Sequence, residues 1–354
     1  MAEKEPILIG VDTIYTSLNY LKIWGEYDNA EPLELLISSD KGVFKISLLY
    51  KKINSEGEIY ESYVPYGYGG PILIEGKEDA TFPVDLFLLE LRKRNIIDCF
   101  FRFSPFLSNH LLFPQELIEL NRYTVSRRLE SLSKEDLLKS LSKGTKWSIK
   151  KSMDLGVKVL ILNGIQINPI DLENFYNLYY NNMKLANADD YYYLNYKCVE
   201  NHFKYLGNFI DLFVAKVKDE WIASSIFLKD DSIVHYHLSA SDYRYSKFYP
   251  VDRILFEAIN FYGNEGKQLL HLGGGLELDL SDSLLNFKMK FGKIVNEFFI
   301  SKVIVDEKLY RYLRAKNKIE NSKYFLINDA LKRKLWKLVE ILNIIITKIK
   351  KVIA

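Results

Sequence analysis

The positions of hydrophobic and polar residues follow one order of elements twice along the chain. In the first half, apolar-rich runs at 33–39 and 43–51 flank a turn that contains Gly42, which predicts a β-hairpin, and a third strand is expected over 58–66. Pro83 then begins a helical stretch to about Asn95, and 96–103 reads as a buried strand. The predicted order is three strands, a helix and a strand.

The second half repeats this order. Runs at 211–217, 221–228 and 232–241 are separated by short charged turns and predict a three-strand meander. Pro250 begins a helix to about Tyr262, and a short strand over 268–272 ends at three consecutive glycines, Gly273 to Gly275. The pattern favours two similar α+β units over one large sheet.

A basic helix marks the junction between the two halves, and a basic tail ends the chain. The helix is expected over 143–156, so we place a first domain at 1–140, a second at 141–310 and a tail at 311–354. From Leu331 to Ala354 the tail has seven basic residues against one acid, Glu340, and its apolar residues recur at three-and-four spacing. This predicts an amphipathic helix that either packs against protein or lies on the inner face of a membrane.

Composition narrows the class of protein. The 354 residues are 48% hydrophobic, and 48 Lys plus Arg stand against 46 Asp plus Glu, so there is a globular core but no net charge that implies nucleic-acid binding. Cys99 and Cys198 lie far apart, which excludes a cysteine-based zinc motif and a disulfide framework. The first residues lack the pattern of a secretory signal, so we expect a cytoplasmic protein, peripheral to the inner membrane face if the tail binds there.

Five short motifs stand in a fixed order along the chain. They are VPYGYGGP at 64–71, WSIKKS at 147–152, HYHLSAS at 235–241, HLGGG at 271–275 and NFKMKFG at 286–292. Together they resemble the GNAT-superfamily transferases related to the Fem enzymes, which attach amino acids to peptidoglycan precursors. Each motif alone is weak, but five in the family's order make chance agreement improbable.

The resemblance implies tandem GNAT-like domains, each a mixed, mostly antiparallel sheet flanked by helices. It also implies that an amine attacks an activated acyl group directly, with no covalent enzyme intermediate, no tightly bound cofactor and no metal. The donor is aminoacyl-tRNA or acyl-CoA. Members that use acetyl-CoA carry a glycine-rich loop for the pyrophosphate, whereas 241–250 has no glycine here, which favours aminoacyl-tRNA. The long helical arm of several Fem proteins is missing from the pattern, so the donor stays open.

Three side chains are the catalytic candidates. By the resemblance, Lys288 lies at the centre of acyl transfer, where a cation would stabilise the negative charge that develops on the carbonyl oxygen. His235 and His237 are two apart on a predicted strand and would share a face with Ser239, so an imidazole there could accept the proton of the amine. The alternatives are a solvated helix face for Lys288 and hydrogen-bonded sheet residues for the histidines. A two-histidine metal site has no third ligand at a supporting spacing.

A second group of residues is expected to bind substrates. The glycine-rich loop of the first half and the glycines after the second-half strand allow close approach, and basic residues suit phosphates. These residues are Tyr66, Tyr68, Lys150, Lys151, Tyr243, Arg244, Gly273 and Gly274. Plain turns and solvated helix faces explain the same patterns without a ligand.

The sequence therefore favours transfer of an acyl or aminoacyl group to an amine of a cell-envelope precursor. The acceptor is a peptidoglycan stem peptide or an amino sugar. Two alternatives stay open: a CoA-dependent N-acyltransferase of glycan biosynthesis, and a non-catalytic protein that binds an envelope glycan or peptide.

Overall fold

The computed structural model describes residues 13–53, 57–77 and 79–334, and its fold is α+β, as the sequence predicts. The strands are β1 (Glu31–Ser39), β2 (Gly42–Lys52), β3 (Tyr60–Tyr63), β4 (Ile72–Gly76), β5 (Ile96–Arg102), β6 (Glu119–Arg128), β7 (Lys158–Asn163), β8 (Ile210–Val217), β9 (Glu220–Lys229), β10 (Ile233–Ser241), β11 (Leu269–Gly274) and β12 (Ile294–Ile304). The α-helices are α1 (Leu18–Asp28), α2 (Val84–Arg92), α3 (Lys134–Ser140), α4 (Lys143–Asp154), α5 (Pro169–Leu185), α6 (Tyr196–Leu206), α7 (Pro250–Asn264), α8 (Ser283–Met289) and α9 (Glu307–Lys316).

The described chain divides into two compact units, and neither is continuous in sequence. The first consists of 29–119 and 300–334, and the second of 13–28 and 120–299. This division differs from the contiguous boundaries at 140 and 310 that the sequence predicts. The physical reason is strand exchange along the chain, because the last residues of β12 pair with β5 in the first unit, while β6 pairs with β11 in the second.

The first unit is built on the strand order β1-β2-β3-β5-β12, with β4 paired to β2. β3 and β5 run parallel, whereas β1, β2, β4 and β12 join their neighbours in antiparallel pairs. The C-terminal part packs on this unit, where Tyr310, Leu313 and Ile327 share a buried cluster with Ile53 and Ile97.

The second unit has the strand order β12-β6-β11-β10-β9-β8-β7. β10 and β11 are parallel, while the pairs from β7 to β10 and from β11 to β6 are antiparallel. Phe213 and Phe227 face the layer formed by α4 and α7. Alternate residues such as Leu212 and Ile226 are equally buried and point the other way, toward α5 and α6.

A β-bulge in β10 corrects the predicted assignment of its faces. Tyr236 pairs with Phe227, but Leu238 pairs with Ile226, so one extra residue lies between them. Beyond the bulge the faces exchange, and the Ser239 hydroxyl lies 2.9 Å from that of Ser225. Ser239 therefore shares the face of Tyr236, and not the face of the histidines as alternation predicts.

Candidate active site

The site is built where two parallel strands of the second unit separate. β10 and β11 are paired at three positions, the last of which joins His235 to His271. Beyond that point β10 continues beside β9 to Ser241, while β11 continues beside β6 to Gly274. The strands diverge into a V, so the residues that follow His235 and His271 form its two sides.

Lys288 lies on the β11 side of this opening. It belongs to α8, which begins after Asp282, whose carboxylate accepts a hydrogen bond from the backbone N–H of Leu285 at 2.8 Å. The Lys288 Nζ donates a 2.7 Å hydrogen bond to the carbonyl of Gly274. The structure thus brings together three of the predicted site residues: Lys288, Gly274 and the adjacent Gly273.

The glycines at this point have a steric reason. Gly273 has a φ of +77°, and a Cβ there would lie 3.1 Å from the Lys288 Nζ. A Cβ on Gly274 would lie 2.8 Å from the backbone oxygen of Tyr123 on the neighbouring strand. Small residues therefore let the lysine approach the end of β11.

Burial controls the charge of Lys288. The side chain is 9% exposed, and burial lowers its pKa to about 7, with a further lowering from the nearby Arg122 guanidinium and an opposing effect of Asp282. An amine with this pKa exchanges a proton near neutral pH. It can therefore donate a hydrogen bond as an ammonium group to an oxygen that develops negative charge.

A polar cluster lies along the β10 side. Tyr236 forms side-chain hydrogen bonds with Ser225 and Ser239, and its pKa is raised by burial and by the charge of Asp252. The Asp252 carboxylate accepts a 2.6 Å hydrogen bond from the Ser148 hydroxyl, and burial raises the pKa of Asp252. The cluster supplies a carboxyl group as an acceptor for a proton.

Sequence reasoning missed Asp252. Its position in the first turn of α7, two residues after Pro250, is typical of a helix start, so the local pattern already explains an acid there. Its contact with Ser148 crosses 104 positions of sequence. Only the folded chain brings the two side chains together.

The predicted histidines lie in a buried row with two others. His235 and His271 have ring centroids 5.7 Å apart, and the Nε2 atoms of His237 and His202 are 3.3 Å apart. Asp230 contacts the Nε2 of His235 at 3.1 Å. The charge of Lys288 contributes to lowering the pKa of His271, so His271 is a histidine of this row close to the lysine.

Burial keeps members of this row neutral. It lowers the pKa of His202 to about 4, and burial with the charges of His202 and His235 lowers that of His237 well below its usual value. His271 is the first residue of the HLGGG motif, so the motif is the sequence signal that could have identified it. Alternation along β10 could not, because His271 lies on β11.

The other predicted binding residues lie elsewhere. Lys150 and Lys151 are exposed on α4, and Tyr243 and Arg244 are each 65% exposed in the short 3-10 helix between β10 and α7. The Arg244 guanidinium is ion-paired with Asp242. The structure joins neither pair to Lys288 by a hydrogen bond or an ion pair within the described residues, so their binding roles stay predictions.

Tyr66 and Tyr68 belong to the first unit. Both are partly buried, and the Tyr68 ring contacts that of Phe106 at 5.8 Å between centroids. Their loop is held by Arg102, whose Nε donates a 3.2 Å hydrogen bond to the carbonyl of Gly67. A role in binding the acceptor also stays a prediction.

The described residues contain neither a metal-binding cluster nor a membrane-spanning helix. In this part of the chain, no group of three or more His, Cys, Asp or Glu residues is arranged to hold a metal ion. Among the helices of residues 13–334, with the gaps given above, none is long and apolar enough to cross a membrane.

Comparisons with known proteins agree with this architecture. Residues 197–312, which include Lys288, match the model of the FemAB family. The solved structure of FemX has a TM-score of 0.63 at 11% identity and covers 85% of this chain and 94% of its own. A conserved protein of unknown function from Bacteroides thetaiotaomicron VPI-5482 has a TM-score of 0.54 at 14% identity, with coverage of 84% and 94%.

A tandem GNAT protein from the clavulanic acid biosynthesis pathway is also similar. Its TM-score is 0.51 at 8% identity, and the match covers 86% of this chain and 91% of that one. No curated protein sequence matches this chain. The match to the FemAB family model over 197–312 confirms the resemblance drawn from the five motifs, and the fold is shared with FemX and with a tandem GNAT protein. In general terms, these likenesses support an acyl or aminoacyl transferase.

Proposed function

We propose that this protein transfers an acyl or aminoacyl group to an amine of a cell-envelope precursor, in the cytoplasm. The observation that carries the proposal is the buried Lys288, held at the carbonyl of Gly274 where β10 and β11 separate. The FemAB match over 197–312 supports the same region as the transfer site. The acceptor is a peptidoglycan stem peptide or an amino sugar.

The proposed reaction is a direct attack. The amine nitrogen forms a bond to the carbonyl carbon of the donor, and the bond from that carbon to the leaving oxygen or sulfur breaks. Lys288, as an ammonium group, stabilises the negative charge on the carbonyl oxygen, while a base takes the proton from the amine and passes it to the leaving oxygen or sulfur. Asp252, whose pKa is raised, is our first choice as that base, and His237 is the second.

The start of α7 favours an ester donor, aminoacyl-tRNA, over acyl-CoA. A helix start binds a pyrophosphate through free backbone N–H groups and its positive end. Here Pro250, at the first position, has no N–H, and the Asp252 carboxyl group occupies the first turn. The connection before it is a 3-10 helix, Tyr243–Phe248, with no glycine. A CoA-dependent N-acyltransferase is the second candidate, because a strand opening of this kind also accommodates a thioester.

The test is an isotopic assay with two donors, charged tRNA and acyl-CoA, against a stem peptide and an amino sugar. We expect label transfer from charged tRNA, and no loss after exhaustive chelation. Transfer from acyl-CoA alone would establish the second candidate. Absence of transfer from both, with acceptor binding intact, would favour a binding protein. Asp252→Asn and His237→Asn, compared in the same assay, distinguish the two bases.

A further inference from the structure

A stripe of tyrosine and asparagine residues runs along α5, and none of them belongs to the site described around Lys288. Tyr176 and Tyr180 are one helical turn apart, and Asn177 and Asn181 form the adjacent pair at the same spacing. Tyr180 is 42% exposed, and both asparagines are exposed. This part of the helix presents aromatic and amide groups with no charge. We call Tyr176, Asn177, Tyr180, Asn181 and the neighbouring Tyr196 the tyrosine platform.

Other aromatic rings hold the platform in place. Tyr176 contacts Tyr180 at 6.0 Å between ring centroids and Tyr196 at 5.4 Å, the latter nearly perpendicular at 81°. Tyr193 contacts Tyr180 edge to face at 5.8 Å, and its own hydroxyl donates to the carbonyl of Met183 at 3.2 Å. The two half-exposed rings, Tyr180 and Tyr196, are therefore fixed before any ligand arrives.

The polar groups of the platform are open to a ligand. The hydroxyls of Tyr176, Tyr180 and Tyr196, and the amides of Asn177 and Asn181, make no hydrogen bond to the part of the chain that the structure describes. Each hydroxyl can donate and accept, and each amide can do both. A ligand that carries several hydroxyl or amide groups would satisfy them together.

The helix places the platform near the open end of the strand pair. Asn182, next to Asn181, donates a 3.1 Å hydrogen bond to the carbonyl of Ser241, the last residue of β10. Ser241 and Gly274 end two parallel strands, so both lie at the same end of the sheet in the second unit. The C-terminal part of α5, which carries most of the platform, therefore lies near the end of the sheet at which Ser241 and Gly274 end their strands.

We infer that the tyrosine platform binds a neutral pyranose ring, the sugar part of the acceptor. Flat aromatic faces pack against the C–H face of a sugar, while hydroxyl and amide groups bind its hydroxyl or acetamido groups. The five platform side chains are uncharged, and the exposed charged residues one turn away on α5, Glu173 and Lys184, have opposite signs, which favours a neutral ligand over a phosphate. The open polar groups argue against a lipid chain. The inference rests on the proposed function only in naming the sugar as part of the acceptor.

The experiment measures sugar binding separately from transfer. The intact protein is titrated with chitotriose, a neutral oligomer of N-acetylglucosamine, and binding is followed by NMR saturation transfer and tyrosine fluorescence. We expect saturable binding that falls at least tenfold in Tyr180→Ala and in Tyr196→Ala. Tyr180→Phe, which keeps the ring, should lose about threefold or less. Tyr312→Ala, a 56% exposed tyrosine on α9 of the first unit, is the matched control and should bind normally.

Each outcome decides the inference. Absence of chitotriose binding, or equal affinity in Tyr180→Ala and the native protein, overturns it. A change of sedimentation coefficient in Tyr180→Ala and Tyr196→Ala, without sugar binding by the native protein, makes this face a contact between copies of the chain and also overturns it. If chitotriose binds through the platform but no donor supports transfer, the proposed function fails and the sugar site stands.

Discussion

In both units one parallel strand pair stands among antiparallel neighbours: β3 with β5 in the first, and β10 with β11 in the second. In the second unit the pair opens after His235 and His271, and glycines and a lysine follow. In the first unit the chain after β3 continues along β5. The backbone N–H of Val64 donates to the carbonyl of Phe100 at 2.8 Å, and that of Gly69 donates to Arg102 at 2.7 Å.

Asn109 completes the closure in the first unit. This residue is 2% exposed, and its amide nitrogen donates to the carbonyls of Gly69 at 2.7 Å and Pro71 at 3.2 Å. Its carbonyl oxygen accepts from the backbone N–H of Ser104 at 3.0 Å. Hydrogen bonds and rings occupy the place where the second unit has an opening.

The buried ionisable groups of the units differ as well. In the first, Glu61 and Asp98 lie on the parallel pair with no exposed surface, beside Lys51 and beneath the C-terminal part. Burial, with the charge of Glu61, raises the pKa of Asp98. In the second, one buried lysine lies at the opening. The same strand arrangement is closed by hydrogen bonds in the first unit and separates in the second, where we propose that the chemistry takes place.

The largest effect is expected at the open strand pair of the second unit. Lys288→Met should lower turnover by roughly ten- to a thousand-fold, because it removes one electrostatic contact to the transition state while keeping the buried volume. Initial rates of label transfer measure it. Lys293→Met, an exposed lysine of the same region, is the control. Near-native turnover of Lys288→Met would exclude Lys288 from catalysis.

A substitution at the closed strand pair of the first unit should lower stability and leave the transfer activity unchanged. Asn109→Ala leaves two carbonyls and one N–H of the first unit without their partner, at a cost of about 2–4 kcal/mol in the free energy of unfolding. Denaturant unfolding measures it, and Gln115→Ala, at an exposed position, should change little. A loss below about 1 kcal/mol would show that the closure does not depend on Asn109.

The free energy of unfolding should depend on pH through the buried Lys288. Below about pH 7 this lysine is charged in both folded and unfolded states, so the folded state bears the whole penalty of its burial. As the pH rises from about 7 toward 10.5, the folded state loses the proton first and the penalty fades. Lys288→Met should therefore gain up to about 5 kcal/mol of stability at pH 6 and less than half of that at pH 9. Thermal melts at both values measure this, and an equal gain at both contradicts a lowered pKa.

The smallest effect concerns the C-terminal tail. Residues 335–354, most of the predicted amphipathic helix, lie outside the described residues. Because Ala330 is buried and Leu331 packs in the first unit, the informative truncation falls after Lys334. We expect it to abolish co-sedimentation with anionic vesicles and to leave the Tm and transfer to a soluble acceptor unchanged. A lower Tm or aggregation would instead assign the apolar stripe to packing.

Local pattern was enough to find many of the elements. The hairpin β1–β2, the meander β8–β10 and the starts of α2 and α7 at prolines follow from residues within a few positions of one another. The five motifs carried the family resemblance and the hypothesis that Lys288 is catalytic, since a family motif is also a local string. Alternation along β10 failed at a single inserted residue, because a bulge changes the face of every residue that follows it.

The sequence by itself determined the α+β class and the duplicated order of elements, and it made Lys288 the first candidate for catalysis. Tertiary structure alone decided which segments complete each unit, which of two equivalent strand pairs stays open, and that Asp252 meets Ser148. Burial in the folded chain also lowers the pKa of Lys288. The physical reason is range, because turns and periodicity act between near neighbours, whereas strand pairing and desolvation depend on residues that only folding brings together.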